Sequence, residues 1–330
     1  MDYVNLGRTG LMVSKLCFGC MSFGDPRIMP WVMEDAEARP FFRRALDAGI
    51  NFYDTANAYS RGASEAITGR ALIDFAGRDN VVIGTKVQMP MGPGPNDQGL
   101  SRRHIMASID ASLKRLGTDY VDLFIIHRAD PRTPEEETLD ALNDVVRAGK
   151  ARYLGASNLP AYKLARMHQT QIRKGWARFV NYQIHYNLIY REEEREQIPY
   201  CVDEGIGMTT WSPTARSWLT GAKRGDTPRT ELDPLREVYG KPSDDAVIAR
   251  VVELAGRRGV KPAQIAIAWP LHKPGVVAPV VGVTKMYQLD EAIAALDVTL
   301  SPDELAWLEE PYQRHEIVGH VARIPPRPAA

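Results

Sequence analysis

The sequence predicts an α/β fold, a single (β/α)8 TIM barrel preceded by a β-hairpin. Short β-rich runs alternate with amphipathic stretches eight times from Lys15 onward, and this alternation is typical of repeated βα units around a parallel sheet. A chain of 330 residues is long enough to form such a barrel as one unit. The G-x-G-x-x-G fingerprint of an open dinucleotide-binding sheet is absent from the sequence, which favours the closed barrel.

The predicted elements follow one another in the order that a barrel requires. A hairpin over residues 1–16, with Gly7-Arg-Thr-Gly10 as its turn, comes first and is expected to plug the lower end of the barrel. The barrel strands are predicted at Leu16 to Phe18, Asn51 to Tyr53, Val81 to Thr85, Val121 to Ile126, Tyr153 to Ala156, Phe179 to Gln183, Gly207 to Trp211 and Val277 to Val281. The helices are predicted near Asp35 to Ala48, Ser64 to Ala76, Ser101 to Leu116, Pro134 to Ala148, Pro160 to Lys174, Glu192 to Glu204, Ala246 to Arg258 and Tyr287 to Leu296. We expect residues 1–330 to form one domain that ends in a tail over residues 311–330.

Glycines and two long insertions mark the boundaries between these elements. Gly49, Gly117 and Gly149 each follow a predicted helix, where a left-handed residue commonly ends the helix. Residues 88–100 are rich in Gly and Pro, and residues 214–243 are rich in Pro, Arg and Asp. Both insertions follow predicted strands, so they belong to the C-terminal face on which barrel active sites are built.

The composition favours a cytoplasmic protein that binds a small molecule. Forty-one Lys and Arg residues balance 41 Asp and Glu residues, which argues against a nucleic-acid or membrane-surface partner. The N-terminus lacks a signal-like apolar core, and no apolar stretch approaches the length of a membrane span. A homo-oligomer is compatible with this sequence.

The three cysteines, an odd number, suggest a reducing compartment and no disulfide framework. Cys17 and Cys20 form a C-x-x-C that could be a redox pair or half a zinc site. No second pair follows, so we interpret both as small apolar fillers and predict no metal site.

Four chemically active residues lie at or just beyond the ends of consecutive predicted strands. They are Asp54, Tyr59, Lys86 and His127. Because the carboxyl ends of barrel strands converge on one mouth, we expect these side chains to be neighbours. Singly, each has a simpler interpretation: a helix N-cap, a rim aromatic, a solvated charge and a core histidine, respectively.

Together these four residues can deliver a proton to a carbonyl oxygen. The ordinary pKa of a tyrosine is about 10, and a nearby ammonium group lowers that pKa by stabilising the phenolate. We therefore expect Lys86 to activate Tyr59, Asp54 to neutralise the buried Lys86, and neutral His127 to donate a second hydrogen bond to the carbonyl. No side chain supplies a hydride, so the chemistry implies a nicotinamide cofactor.

Beyond these four residues, the chain resembles the aldo-keto reductase superfamily, roughly from Tyr3 to Glu310. Within it, the chain is most similar to the branch of aryl-alcohol dehydrogenases and potassium-channel β-subunits. The resemblance rests on Leu6-Gly-Arg-Thr-Gly-Leu11, Gly49-Ile-Asn-Phe-Tyr-Asp-Thr-Ala56, Leu116-Gly-Thr-Asp-Tyr-Val-Asp-Leu123, Gly149-Lys-Ala-Arg-Tyr-Leu-Gly-Ala-Ser-Asn158 and Trp211-Ser-Pro213. It implies that Tyr59 is the proton donor, that Lys86 and Asp54 tune it, and that His127 orients the carbonyl.

The resemblance also implies the contacts of a bound NADPH or NADP+. Ser157, Asn158 and Gln183 match residues that hold the nicotinamide carboxamide, and Trp211 matches the aromatic that stacks on the ring. The remaining implied contacts are Gly19 and Met21 after the first barrel strand, Ser212, Pro213, Thr214 and Arg216 at the pyrophosphate, and Gly282, Thr284, Lys285, Gln288 and Glu291 at the adenosine phosphate. Lys285 before a helix is a candidate partner for the 2′-phosphate and favours NADPH, although it could simply be an exposed lysine.

Two positions depart from the family pattern. Thr214 and Ser217 replace the usual residues of an S-P-L-A-R-G segment, and Ala292 stands where an asparagine often contacts the adenine. These changes could alter cofactor affinity or closure of the loop, and we expect binding to survive them.

Substrate recognition is expected from the loops around the mouth. The candidate residues are Phe23, Trp31, Met89 and Arg128. An aromatic and methionine lining suits aryl or medium-chain aldehydes, whereas Arg128 could instead recognise an anionic group.

Two functions are therefore considered. The first is an NADPH-dependent reductase that converts aldehydes, aryl aldehydes among them, or ketones into alcohols. The second is a cofactor-sensing regulatory subunit that resembles the channel β-subunits and acts through a partner.

Overall fold

The computed structural model describes residues 1–222 and 238–317. Within them, the eight parallel strands of the predicted barrel are β3 (Cys17–Gly19), β4 (Phe52–Asp54), β5 (Val82–Val87), β6 (Val121–Ile126), β7 (Ala151–Ser157), β8 (Phe179–His185), β9 (Gly207–Trp211) and β10 (Val276–Val281). They close into a barrel in the order β10-β3-β4-β5-β6-β7-β8-β9, as predicted. Parts of the predicted insertion 214–243 and tail 311–330, namely residues 223–237 and 318–330, lie outside the described residues.

The N-terminal hairpin closes one end of the barrel, as expected. Strand β1 (Tyr3–Asn5) pairs antiparallel with β2 (Met12–Ser14). Leu6 and Val13 are fully buried and pack with the inward-facing side chains of the barrel strands, such as Phe52. Burial of these apolar side chains fixes the hairpin against the barrel.

Helices surround the barrel and cover its outer face. The described α-helices are α1 (Asp35–Asp47), α2 (Ala63–Ala76), α3 (Arg102–Leu116), α4 (Glu135–Arg147), α5 (Ala161–Lys174), α6 (Gln197–Glu204), α7 (Pro242–Arg258), α8 (Pro262–Ala268), α9 (Met286–Ala294) and α10 (Pro302–Glu309). Gly49, Gly117 and Gly149 have positive φ angles of 83°, 70° and 73°, as expected after the ends of α1, α3 and α4. No helix in the described part of the chain combines the length and apolar composition needed to cross a bilayer.

Three helical features differ from the prediction. The predicted helix over Glu192 to Glu204 is divided into a 3₁₀ turn, Glu192–Glu194, and α6. Pro199 lies in the first turn of α6 and has no N–H for a hydrogen bond to an earlier carbonyl, so a continuous helix cannot form. Helices α8 and α10 were not predicted, although each has a proline at its first position and a side chain at its third that accepts the N-cap N–H.

Candidate active site

Lys86 lies between Asp54 and Tyr59 at the C-terminal mouth of the barrel. Its Nζ atom is 2.5 Å from Oδ1 of Asp54, 2.8 Å from the carbonyl oxygen of Thr55 and 3.3 Å from the hydroxyl of Tyr59. Lys86 is fully buried and Asp54 is 3% exposed. The structure therefore brings these residues together, and Lys86 is not a solvated charge at the end of a strand.

Burial and charge act in opposite directions on the ionisable groups of this cluster. Burial alone lowers the pKa of Lys86, but Asp54 and Tyr59 raise it by more, so Lys86 stays an ammonium. Burial raises the pKa of Tyr59 more than Lys86 lowers it. The expectation of a lowered tyrosine pKa is thus wrong for this structure, because desolvation of the phenolate outweighs its attraction to the ammonium. Tyr59 keeps its proton at neutral pH.

His127 packs edge-on against the ring of Tyr59, with the ring centroids 5.8 Å apart. Burial, followed by the charges of Lys86 and Arg128, holds the pKa of His127 well below its usual value. Its imidazole is therefore neutral, and Nδ1 has no hydrogen-bond partner among the described residues. A neutral imidazole beside the tyrosine hydroxyl can donate one hydrogen bond from its protonated nitrogen to a carbonyl oxygen.

The residues expected at the nicotinamide form one hydrogen-bonded group beside the tetrad of Asp54, Tyr59, Lys86 and His127. Asn158, with a left-handed φ of 52°, donates from Nδ2 to Oγ of Ser157 at 2.8 Å and to the carbonyl oxygen of His127 at 3.1 Å. Trp211 donates from Nε1 to Oδ1 of Asn158 at 3.2 Å. Gln183 donates from Nε2 to Oδ2 of Asp54 at 2.9 Å, a contact that the sequence did not predict.

Trp211 rests on a stack of aromatic rings that the sequence reasoning missed. Its indole lies parallel to the imidazole of His185 at a centroid distance of 3.9 Å, and the other face of His185 stacks on Tyr190 at 3.9 Å. Tyr239 hydrogen-bonds to Nε2 of His185 and accepts from Nδ2 of Asn187 at 3.1 Å. In the sequence, the only indication of this aromatic stack is the position of His185 at the end of β8, because Tyr239 lies within the insertion over residues 214–243.

The segment after β9 has a backbone suited to an anion. Ser212, Ala215, Arg216 and Ser217 have positive φ angles of 56°, 47°, 56° and 76°. Successive non-glycine residues in this conformation are strained, and such turns direct backbone N–H groups into a concavity that binds phosphate. Pro213 and Thr214 lie inside the same turn. This geometry fits the pyrophosphate contact that the resemblance implies.

The segment expected at the adenosine phosphate precedes α9. Gln288 accepts the backbone N–H groups of Thr284 and Lys285 at 2.8 and 3.1 Å, so it caps this helix in the structure. The side chain of Lys285 is exposed, and burial raises the pKa of Glu291. An exposed lysine at a helix N-terminus fits a phosphate ligand.

Gly19 and Gly282 lie side by side at the ends of β3 and β10. A Cβ atom on Gly19 would lie 3.0 Å from the side chain of Val280 and 3.3 Å from the backbone nitrogen of Gly282. Larger residues would fill this space, so the two glycines keep a cradle open between the strand ends. Met21 is partly buried just beyond it.

One predicted substrate residue is misplaced. Phe23 is fully buried and packs against Phe18, Phe41 and Phe42 in the core, so it does not face the mouth. Its expected contact with the substrate is therefore wrong, and apolar burial against three phenyl rings is the reason. Trp31 and Met89 are partly buried, and Arg128 is exposed.

Two other sites do not carry the chemistry. Cys17 and Cys20 are free and fully buried, and burial raises the pKa of Cys20 to about 12, as suits apolar fillers. No metal-binding cluster of His, Cys, Asp and Glu is found among the described residues. A cavity of about 430 Å³ at the hairpin end is lined mainly by apolar residues such as Val202 and Val277 and contains none of the tetrad.

Comparison with known proteins identifies the family of the chain. The sequence model of the Aldo/keto reductase family matches residues 15–313. The chain is 42% identical to "Versiconal hemiacetal acetate reductase" of Aspergillus parasiticus, across 94% of this chain and 97% of that protein. It is 40% identical to "Putative aryl-alcohol dehydrogenase AAD16" of Saccharomyces cerevisiae, across 94% and 96%, and 38% identical to "Aldo-keto reductase dtxS3" of Metarhizium robertsii, across 97% and 93%. The predicted resemblance is confirmed, and the chain belongs to the aldo/keto reductase family.

Proposed function

We propose that this oxidoreductase uses NADPH to reduce aldehydes, aryl aldehydes foremost, or ketones to alcohols, with Tyr59 as the proton donor. The observation that supports this most strongly is the placement of Lys86 between Asp54 and Tyr59. A bound nicotinamide would supply the hydride that the side chains cannot supply. The names of the aryl-alcohol dehydrogenase and hemiacetal acetate reductase relatives favour a carbonyl or alcohol substrate.

Each residue has a defined task in this reaction. Tyr59 keeps its phenolic proton at neutral pH and gives it to the carbonyl oxygen as the alcohol forms. The Lys86 ammonium stabilises the phenolate that remains, and Asp54 holds Lys86 charged. Neutral His127 donates a second hydrogen bond to the carbonyl oxygen and orients it.

The cofactor is expected to lie across the mouth on residues described above. Trp211 would stack on the nicotinamide, Asn158 and Gln183 would hold its carboxamide, and the turn at Ser212 would bind the pyrophosphate. Lys285 would bind the 2′-phosphate that distinguishes NADPH from NADH.

Three free and buried thiols suit a reducing compartment, which is why we place the enzyme in the cytoplasm.

The Tyr59→Phe variant tests the mechanism. Loss of the positioned acid should lower kcat on an aldehyde by about 10² to 10⁴ while leaving the Kd of NADPH nearly unchanged. Tyr153→Phe is the matched control, because it removes a phenol that packs with the hairpin at the far end of the barrel. Wild-type turnover by Tyr59→Phe would contradict the proposal.

A substrate panel tests specificity in the same assay. Benzaldehyde, 4-carboxybenzaldehyde and hexanal separate an aryl preference from recognition of an anionic group by Arg128. We expect the highest kcat/KM for benzaldehyde, since Trp31 and Met89 lie near the mouth loops and offer apolar contact. A preference for hexanal over benzaldehyde would refute the aryl assignment.

A further inference from the structure

Tyr59 is followed directly by three residues in left-handed conformations. Ser60 and Arg61 have φ and ψ angles of 45°, 41° and 52°, 38°, and Gly62 has 95°, −8°. Non-glycine residues rarely adopt this conformation, and they persist in it only where the surroundings hold them. The turn that carries the proposed acid is therefore strained and needs a support.

The support is an arginine from the neighbouring helix. The Arg115 side chain, in the last turn of α3, covers Gly62, and a Cβ atom there would lie only 2.5 Å from Cδ of Arg115. Helices α2 and α3 are in close contact nearby, because a Cβ on Gly69 would lie 2.0 Å from the carbonyl oxygen of Leu116. Arg115 thus approaches the turn from a helix whose backbone is in close contact with α2.

A fully buried carboxylate joins this arginine to the strand of Lys86. Glu65, in the first turn of α2, accepts Nε–H of Arg115 at 2.6 Å on one oxygen and the hydroxyl of Thr85 at 2.6 Å on the other. Thr85 directly precedes Lys86 in β5. The connection from the tyrosine turn to the lysine strand therefore consists of the packing of Arg115 against Gly62 and two short hydrogen bonds to Glu65, and charge-assisted bonds are the stronger kind.

We propose that Glu65 and Arg115 are positioning residues that set the separation of Tyr59 and Lys86. This inference rests on the proposed function, because it matters only if Tyr59 is the acid. The 3.3 Å separation of the tyrosine hydroxyl and the lysine ammonium is already long for a hydrogen bond. A small displacement of the turn would break this hydrogen bond and weaken the attraction by which the ammonium stabilises the phenolate.

The Glu65→Gln variant, with Asp122→Asn as a matched control, tests the proposal. Asp122 also pairs with an arginine, Arg78, at 2.6 Å and accepts a backbone N–H of β5, but it lies at the hairpin end of the strands. Both variants should lower Tm. Only Glu65→Gln should lower kcat, by about tenfold to a hundredfold, while the Kd of NADPH stays within twofold of wild type.

The pH dependence of alcohol oxidation gives a readout that loss of stability does not change. In that direction Tyr59 must accept a proton, so kcat rises as the phenol ionises. Lys86, Asp54 and Arg216 are the charged groups that act on Tyr59, and His127 lies against its ring. Glu65→Gln should move the rise in kcat to higher pH, because Lys86 is no longer held close to the Tyr59 hydroxyl. Asp122→Asn should leave it in place.

Two further variants keep the test decisive. Thr85→Val removes one hydrogen bond to Glu65 and retains the ion pair, so a smaller shift in the same direction is expected if Glu65→Gln does not fold. Arg115→Lys keeps the charge and should retain more activity than Arg115→Met. Equal kcat and pH profiles for these variants and the Asp122→Asn control would overturn the inference. That result together with an inactive Tyr59→Phe would leave the proposed function intact, whereas an active Tyr59→Phe would remove the function itself.

Discussion

Gln183 donates a hydrogen bond to Asp54 across the mouth of the barrel, with 2.9 Å between Nε2 and Oδ2. The two residues lie on β8 and β4, which are four positions apart in the ring of eight strands and therefore on opposite sides. The other carboxylate oxygen of Asp54 accepts from Lys86. Both oxygens thus accept hydrogen bonds, and a residue expected to bind the cofactor also orients the carboxylate that pairs with Lys86.

Replacing Gln183 should therefore affect chemistry as well as cofactor binding. We expect Gln183→Met to raise the Kd of NADPH and also to lower kcat about tenfold at saturating NADPH, because one oxygen of a buried carboxylate loses its partner. Ser157→Ala, which removes a hydroxyl from the same group without contacting Asp54, should change only the Kd. Stopped-flow measurement of hydride transfer separates the two effects, and an unchanged rate in Gln183→Met would argue against this coupling.

Asp54→Asn should make stability depend on the charge of Lys86. In the wild type, Asp54 and Tyr59 raise the pKa of Lys86 above its ordinary value of 10.5 despite burial. A base with a raised pKa contributes its full stabilisation below pH 10.5 and loses it as the pH rises through the folded-state value, so the contribution of Lys86 to wild-type stability should be constant between pH 7 and 9.5. Burial also raises the pKa of Cys17, Cys20 and Cys201, which lowers stability as the pH rises, but these thiols are present in both proteins and cancel in the comparison. Removing Asp54 leaves burial dominant and the pKa lowered, so the variant should lose about 3 to 5 kcal/mol at pH 7.

Urea unfolding between pH 7 and 9.5 measures this difference. The Asp54→Asn variant should recover stability relative to wild type as the pH rises, since deprotonation of Lys86 removes the unpaired buried charge. A constant difference from wild type across this range would mean that Lys86 is not the group responsible.

His127 should lower the free energy of unfolding at acid pH. Its pKa is held well below 6.5, so the unfolded chain binds a proton there that the folded protein does not, and stability is lost as the pH falls below about 6.5. We expect His127→Gln to reduce this loss by about 1.4 kcal/mol at pH 5.5 relative to pH 8. His104, His168 and His272 also have lowered pKa values, but they are present in both proteins and cancel in the comparison. Equal pH dependence in the two proteins would contradict a neutral His127.

Tyr239 should matter for cofactor affinity through His185 and Trp211. Its hydroxyl bonds to His185, whose ring lies 3.9 Å from Trp211. We expect Tyr239→Phe to raise the Kd of NADPH about fivefold and to leave kcat at saturation nearly unchanged, because one buried hydrogen bond is worth about 1 kcal/mol. Quenching of tryptophan fluorescence measures the Kd. Tyr53→Phe, which removes a buried phenol bonded to the carbonyl of Ile50, is the control and should not alter it.

Lys285 should distinguish the two nicotinamide cofactors. Its exposed side chain forms no ion pair with the described residues and stands at the N-terminus of α9. Lys285→Met should raise the KM for NADPH about tenfold to a hundredfold while the KM for NADH stays the same, since NADH lacks the 2′-phosphate. An equal change for both cofactors would place Lys285 elsewhere than at that phosphate.

The order of the elements could be predicted from the sequence because local patterns encode it. Each of the eight barrel strands was placed within two residues of its position, since buried parallel strands are short apolar runs bounded by turns. The N-cap signals of α8 and α10 are equally local, and the break before α6 follows from Pro199. Phe23 was misplaced because adjacency to a strand end does not show which side of the chain faces the mouth.

The chemical groups at the mouth can be identified from the sequence alone, because an acid, a phenol, an amine and an imidazole each lie at or just past the end of a predicted strand. How these groups interact depends on the packing of distant parts of the chain. The hydrogen bond from Gln183 to Asp54 joins residues 129 positions apart. Glu65 in α2 bonds to Thr85 in β5 and to Arg115 in α3, two elements that are distant from it in the sequence. The direction of the Tyr59 pKa also depended on the fold, because burial and a neighbouring charge oppose each other and only the packed arrangement sets their balance.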